Sequence, residues 1–144
     1  MRRAMTMAAI VAAAALGTSA VSAQEFTGKR FHIMLSGANH VEGGDPDGSG
    51  SAMVRINPGQ RQLCYTLNVS DIGPATAAHI HEAPAGSTGP VVVDLQAPSS
   101  GMSQACTTIS RELARELIQN PQDYYINVHN MEYPAGAVRG QLDM

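Results

Sequence analysis

Residues 51–70 of the chain read SAMVRINPGQRQLCYTLNVS, and this stretch decides the fold class. Four apolar residues in its second half alternate with more polar ones, the period expected of a strand with one buried face. They are Leu63, Tyr65, Leu67 and Val69. The first half alternates in the same way, and Asn57-Pro58-Gly59-Gln60 between the halves is a turn sequence. We therefore predict a β-hairpin with strands at residues 51–56 and 61–70.

Similar short runs recur along the rest of the chain. We predict further strands at residues 26–36, 77–82, 91–95, 102–108, 124–129 and 137–142. One helix interrupts them, because Ser110 can cap its first turn, Glu112 favours its positive N-terminal end and Pro121 ends it. The pattern predicts an all-β fold, a Greek-key β-sandwich or barrel of about eight short strands, with one helix near residues 110–120.

The first 23 residues have the composition of a secretory signal peptide. Arg2 and Arg3 precede an apolar stretch from Met5 to Leu16, and Val21-Ser22-Ala23 is a small-residue cleavage site. The apolar stretch is shorter than the roughly 20 residues of a membrane span, although an uncleaved anchor helix is the alternative. We predict a secreted or periplasmic protein with one domain at residues 24–144 and no membrane span after leader cleavage.

Composition limits the possible partners. Residues 24–144 contain seven Lys and Arg against twelve acidic residues, a net charge of −5, with no basic patch. Nucleic acid and anionic membranes are therefore poor partners. Only 4% of the chain is aromatic and it has no Trp, so a surface for stacking bases or sugars would be hard to build.

The two cysteines, Cys64 and Cys106, are predicted to form a disulfide, because an exported chain with an even cysteine count favours one. The bond would close a loop of about 40 residues and stabilise the fold by roughly 3–4 kcal/mol. The alternative is a pair of soft metal ligands, but the pair is widely separated and has no CxxC spacing.

A transition-metal site is the strongest chemical hypothesis. His79 and His81 lie one residue apart in a predicted strand, so both side chains project from the same face. His129 ends another strand, with Asn127 on the same side. Imidazole nitrogens suit copper, zinc, nickel or iron. The alternative is that these are ordinary surface histidines.

Other residues could complete or support such a site. His40 and His32 are candidate fourth ligands, and each could equally be an ordinary surface histidine. Asp94 and Glu82 could bind the metal or orient a histidine ring by hydrogen bonding, and Glu82 suits the second role because it alternates away from His79 and His81.

Two other kinds of site have weaker support. Residues 44–50, GDPDGSG, look like a calcium loop but lack the DxDxDG order and the distal glutamate. No GxSxG or HExxH motif is present, so nucleophilic catalysis and zinc-protease chemistry find little support.

Several motifs agree in order with one known family. They are Ala77-Ala78-His79-Ile80-His81, Gly89-Pro90-Val91-Val92-Val93, the segment 124–129 (YYINVH) and the segment 133–142 (YPAGAVRGQL), with 35–39 and 47–50 fitting its opening. The chain resembles the CHRD (chordin) domain over nearly all of residues 26–142. That resemblance implies an extracytoplasmic β-rich domain, which binds bone morphogenetic proteins in chordin and occurs in bacteria as a small exported protein. Where many members have an acid after the early Asn, this chain has His40.

Two looser resemblances concern metal chemistry. An HxH strand in an exported β-sandwich with one disulfide is similar to Cu,Zn superoxide dismutase, but the bridging histidine and the zinc loop of that enzyme are missing. A cupin-like spacing from Gly73 to His79 lacks the cupin glutamate and downstream histidine.

We therefore expect an exported CHRD-domain binding protein that binds copper or zinc through His79, His81 and His129, with His40 as a candidate fourth ligand. The alternatives are a protein-interaction or structural module without metal, and a metalloenzyme of the superoxide-dismutase type. No catalytic residue is assigned, and a non-enzymatic function is favoured. The expected partners are a metal ion and another extracytoplasmic protein.

Overall fold

The computed structural model describes residues 28–143, which form eight strands and one α-helix. The strands are β1 Lys29–Ser36, β2 Ser49–Asn57, β3 Gln62–Ser70, β4 Ala75–Glu82, β5 Val91–Leu95, β6 Met102–Thr108, β7 Tyr124–Asn130 and β8 Val138–Gln141. The helix is α1, Arg111–Gln119. The all-β prediction is confirmed, and the predicted hairpin is β2 and β3. The predicted signal peptide, residues 1–23, lies outside the described residues.

The strands form a single antiparallel sheet in the order β5-β4-β7-β8-β1-β2-β3-β6. The sheet is nearly closed into a barrel, and its two edges are β5 and β6, which are consecutive in the chain. The loop between them spans the seam, because the Gln96 N–H donates to the Tyr65 hydroxyl at 2.7 Å and the Ser103 hydroxyl donates to the Gln96 carbonyl at 2.8 Å.

Alternation along each strand decides which residues fill the barrel. Apolar side chains from all eight strands or their ends pack inside, among them Ile33, Val54, Leu67, Ile80, Ile126 and Val138. On β4 the interior positions are Ala78 and Ile80, both fully buried. His79 and His81, at the alternate positions, therefore project from the outside of the barrel.

The helix follows the sequence signals. The Ser110 hydroxyl accepts a hydrogen bond from the Leu113 N–H at 3.0 Å, which is the predicted cap. Leu117 is fully buried in the core, and Leu113 and Ile118 pack partly against it. The helix ends before Pro121, which begins a 3-10 turn.

The disulfide links Cys64 on β3 to Cys106 on the edge strand β6. The two residues are directly opposite in the ladder, so the bond fastens the edge strand to the barrel wall. The predicted pairing is confirmed, and a disulfide fits an extracellular protein.

Within residues 28–143 no helix has both the length and the apolar character needed to cross a bilayer.

Candidate metal centre

Strands β4 and β7 bring three histidines together on the outer face of the barrel. The ladder pairs His79 with Asn127 and Ala77 with His129, which sets His129 diagonally next to His79. The ring centroids of His79, His81 and His129 lie between 5.0 and 6.1 Å apart. One ligand nitrogen from each lies within 4.8 Å of the other two.

A metal would require only a small contraction of this cluster. Nitrogens bound at about 2.0–2.1 Å in a tetrahedral site lie roughly 3.3 Å from one another. His79 Nδ1 and His129 Nε2 are already 3.1 Å apart. The remaining adjustment belongs mainly to His81, whose ring lies farther from that of His129.

Backbone carbonyls determine which nitrogens can bind a metal. Nδ1 of His81 lies 2.9 Å from the Gly89 carbonyl, and Nδ1 of His129 lies 2.9 Å from the Pro134 carbonyl. A carbonyl oxygen only accepts, so both Nδ1 atoms must carry the proton. The Nε2 lone pairs of His81 and His129 are therefore free to coordinate a cation.

The Nε2 atom of His81 is the one ring nitrogen of the cluster that is buried without a hydrogen-bond partner in the described part of the chain. An unpaired buried acceptor is costly, and such atoms in folded proteins are usually satisfied by a water or an ion.

His79 has the opposite arrangement. Without a metal, its Nδ1 donates to His129 Nε2, because the proton of His129 is held at the other nitrogen. Its own Nε2 faces Asp94 Oδ1 at 3.7 Å, across the β4–β5 ladder. With its proton on the Asp94 side, His79 would present Nδ1 to a metal, and a small approach of Asp94 would let it orient the ring. Glu82 is exposed and lies outside the cluster.

Burial favours the neutral form of two of the three imidazoles, those of His81 and His129. Desolvation lowers the pKa of His81 and of His129, although the carbonyls of Gly89 and Pro134 act in the opposite direction. Nearby imidazoles lower both pKa values further. Neutral imidazole is the form that binds a metal, so the lowered pKa values of His81 and His129 favour coordination.

His40 lies near the cluster but outside its set of ligand atoms. Its Nε2 donates to the Ala135 carbonyl at 2.9 Å, and its Nδ1 accepts from the Glu42 N–H at 3.3 Å. The Asn127 side chain donates to the same Ala135 carbonyl. Both nitrogens of His40 are thus engaged with backbone, and its contact holds the loop that follows β7.

The other candidate groups are separate. His32 is exposed on β1, on the face opposite Phe31 and Ile33. In the loop with calcium-like composition, Asp45 Oδ1 accepts from the Asp47 N–H, which is the local turn contact of an Asp. No acidic residue of segment 28–143 joins a metal-type group with these histidines or with one another.

Two residues that sequence reasoning missed support the cluster. The Tyr125 ring stacks on His81 with centroids 4.8 Å apart and planes 6° apart. The Arg139 guanidinium packs on the same tyrosine, with Cζ 3.4 Å from the ring centroid. Arg139 alternates with Val138 and Gly140, so its sequence pattern indicates only an outward side chain, and nothing local marks its burial.

The fold and the cluster define the class of protein: a small, disulfide-linked antiparallel β-barrel that presents three histidines beside two anchored loops. Residues 31–142 match the CHRD domain, and the chain belongs to the CHRD domain family. This membership supports a binding or interaction module. Searches of curated proteins and of solved structures gave no significant match.

Proposed function

We propose that this exported CHRD domain binds a transition metal ion, copper or zinc, through His79 Nδ1, His81 Nε2 and His129 Nε2. The observation that carries the proposal is the buried, unpaired Nε2 of His81 in a cluster whose other two nitrogens are 3.1 Å apart. Three imidazole ligands suit Cu(II) and Zn(II), and the usual affinity order favours Cu(II). His79 is partly exposed, which leaves solvent access for a fourth ligand.

The test is a titration of metal-free protein, without a polyhistidine tag, against Cu(II) and Zn(II) in the presence of a competing chelator. Removing a residue that merely orients a ligand costs about 10–100-fold in metal affinity. We therefore expect His79→Ala, His81→Ala and His129→Ala each to lose at least about 100-fold. His32→Ala is the matched control, because it removes an exposed strand histidine outside the cluster.

Electron paramagnetic resonance of the Cu(II) form adds a readout that does not depend on affinity. The wild-type spectrum should show coupling to imidazole nitrogens, and each cluster variant should lose one of them. Unchanged affinity in both His79→Ala and His129→Ala would refute the proposal. Superoxide dismutation above the free-copper background would assign the metalloenzyme alternative instead.

A protein-interaction module without metal is the second candidate. It is favoured by the hydrogen bonds from His81 to Gly89 and from His129 to Pro134, which tie two loops to the barrel without any ion. If this is the function, amide hydrogen exchange in residues 83–90 and 131–136 will be the same with and without metal. Slower exchange only after metal addition would favour the metal site.

A further inference from the structure

Arg139 is a buried cation outside the histidine cluster. It lies on β8, opposite Asn127 of β7 and Ser36 of β1. Val138 and Gly140 face the barrel interior, so Arg139 faces outward, yet only 1% of it is exposed. The loop after β4 covers it, because its guanidinium donates to the carbonyls of Ser87 at 2.7 Å and Pro84 at 3.1 Å.

The charge of this guanidinium is not balanced by an acid. Its third hydrogen bond goes to Gln141 Oε1 at 3.0 Å, and the Tyr125 ring packs on it. All of these partners are neutral, and Arg139 forms no ion pair with any carboxylate of the described chain. Burial accordingly lowers the pKa of Arg139, with Tyr125 acting against that shift. Buried charges in proteins are usually paired with an opposite charge, so a buried guanidinium without one is a candidate binding group for an anionic ligand.

A cavity of about 360 Å³ adjoins this charge. It lies between residues 38–41, residues 85–86 and β8, and its size is that of a small-molecule site. Its apolar walls are formed by Ala38, Val41 and Ala85. The Gln141 amide on its lining is already satisfied, because the two N–H groups of Nε2 are shared among the carbonyls of residues 83, 122 and 124.

We propose that this cavity binds a small carboxylate with a short aliphatic tail, the carboxylate pairing with Arg139 and the tail packing on Ala38, Val41 and Ala85. Nη2 donates two of these hydrogen bonds and Nη1 donates one, which leaves one N–H of Nη1 and the Nε–H for a ligand. Either group can donate a charge-assisted hydrogen bond to a carboxylate oxygen. The cavity shares no residue with the three-histidine cluster, so a carboxylate and a metal ion would not compete for the same atoms.

Butyrate is a suitable probe, and butyramide is its neutral counterpart of the same shape. In a nitrogen-15 NMR titration, butyrate should shift the Arg139 Nε–H signal and the amides of residues 38–41 and 85–86 saturably, with a dissociation constant on the order of 1 mM. Butyramide and sodium chloride at equal ionic strength should leave these signals in place. Equal shifts with butyramide or chloride would overturn the proposal.

Two variants locate the site. Ala85→Leu enlarges a side chain on the cavity wall while keeping Arg139 itself, and it should weaken butyrate binding at least tenfold. Gln104→Leu places the same side chain on the exposed face of β6 and should not weaken it. Arg139→Lys keeps the charge but removes the Nη1 and Nε N–H groups that face no protein acceptor, and it should also weaken binding. If Arg139→Lys does not fold, Ala85→Leu still tests the proposal. Undiminished butyrate binding to Ala85→Leu would show that butyrate binds outside this cavity.

Discussion

A single added methyl group at Gly136 tests whether the loop after β7 is as tightly held as its contacts indicate. The φ of Gly136 is +147°, a region that is costly for any residue with a Cβ. A Cβ there would also collide with Asn127 Oδ1 and His40 Nε2. Both of those side chains hold the Ala135 carbonyl, so Gly136→Ala must disturb the two hydrogen bonds together.

The expected cost follows from these contacts. Backbone strain contributes about 1–3 kcal/mol, and each of the two hydrogen bonds contributes about 1 kcal/mol. We expect Gly136→Ala to lower the free energy of unfolding by about 3–5 kcal/mol, a large part of a typical domain stability of about 5–15 kcal/mol. The displaced loop also carries the Pro134 carbonyl that orients His129, so metal affinity should fall in the folded fraction.

Urea unfolding followed by far-ultraviolet circular dichroism, with the disulfide intact, measures this loss. Gly43→Ala is the matched control, because Gly43 also has a positive φ, +81°, but a Cβ there would meet nothing within 4 Å. The free energy of unfolding of Gly43→Ala should fall only by the cost of a left-handed backbone conformation, about 1–2 kcal/mol. A loss of stability in Gly136→Ala no larger than that in Gly43→Ala would show that the loop is not held by these contacts.

Three other measurements test the fold and the electrostatics of the cluster. Burial lowers the pKa of His81 and His129 below 6.5, so the unfolded chain binds more protons below that pH. In the metal-free protein, the contribution of these histidines to the free energy of unfolding should be fully present above about pH 6.5 and be lost as the pH falls through their pKa values in the folded state. Urea unfolding midpoints measured across this pH range should show the loss. An equally steep loss in His129→Asn would contradict the expectation. Replacing Cys64 and Cys106 by serine should cost about 4 kcal/mol for a separation of 42 residues; an unchanged urea midpoint would show that the bond adds nothing. Ser110→Ala should cost about 1 kcal/mol through loss of the helix cap, measured by thermal unfolding, whereas Ser110→Asn should keep most of it.

The strands were predictable because each has one buried and one outward face. The predicted strand at residues 61–70 is β3, Gln62–Ser70, and the predicted strand at residues 91–95 is β5 without change. The same alternation placed His79 and His81 side by side. Strand order was not predictable, because it depends on pairings between distant segments such as β3 with β6. The choice between sandwich and barrel depends on the same long-range pairings.

The site was predictable only in outline. Residue spacing can place three imidazoles on neighbouring strands. It cannot show which ring nitrogen of each histidine is hydrogen-bonded to a backbone carbonyl. That information comes from Gly89 and Pro134, which lie in loops without periodic patterns. For the same reason His40 remained a candidate ligand in the sequence, although both of its nitrogens are engaged with loop backbone. Arg139 escaped notice because its burial depends on a loop more than 50 residues earlier in the chain.

The loops at residues 83–90 and 131–136 are anchored through their main chain, and this affects which amino-acid substitutions they can accept. His81, His129, His40, Asn127, Arg139 and Gln141 all bind loop carbonyls, and a carbonyl is supplied by any amino acid. In these hydrogen bonds the loops of residues 83–90 and 131–136 therefore contribute main-chain atoms, while the specific side chains come from their partners. Exposed loop side chains such as Ser87 and Ala135 should therefore accept many replacements, so these positions could change to suit new partners while the residues that bind their carbonyls stay the same.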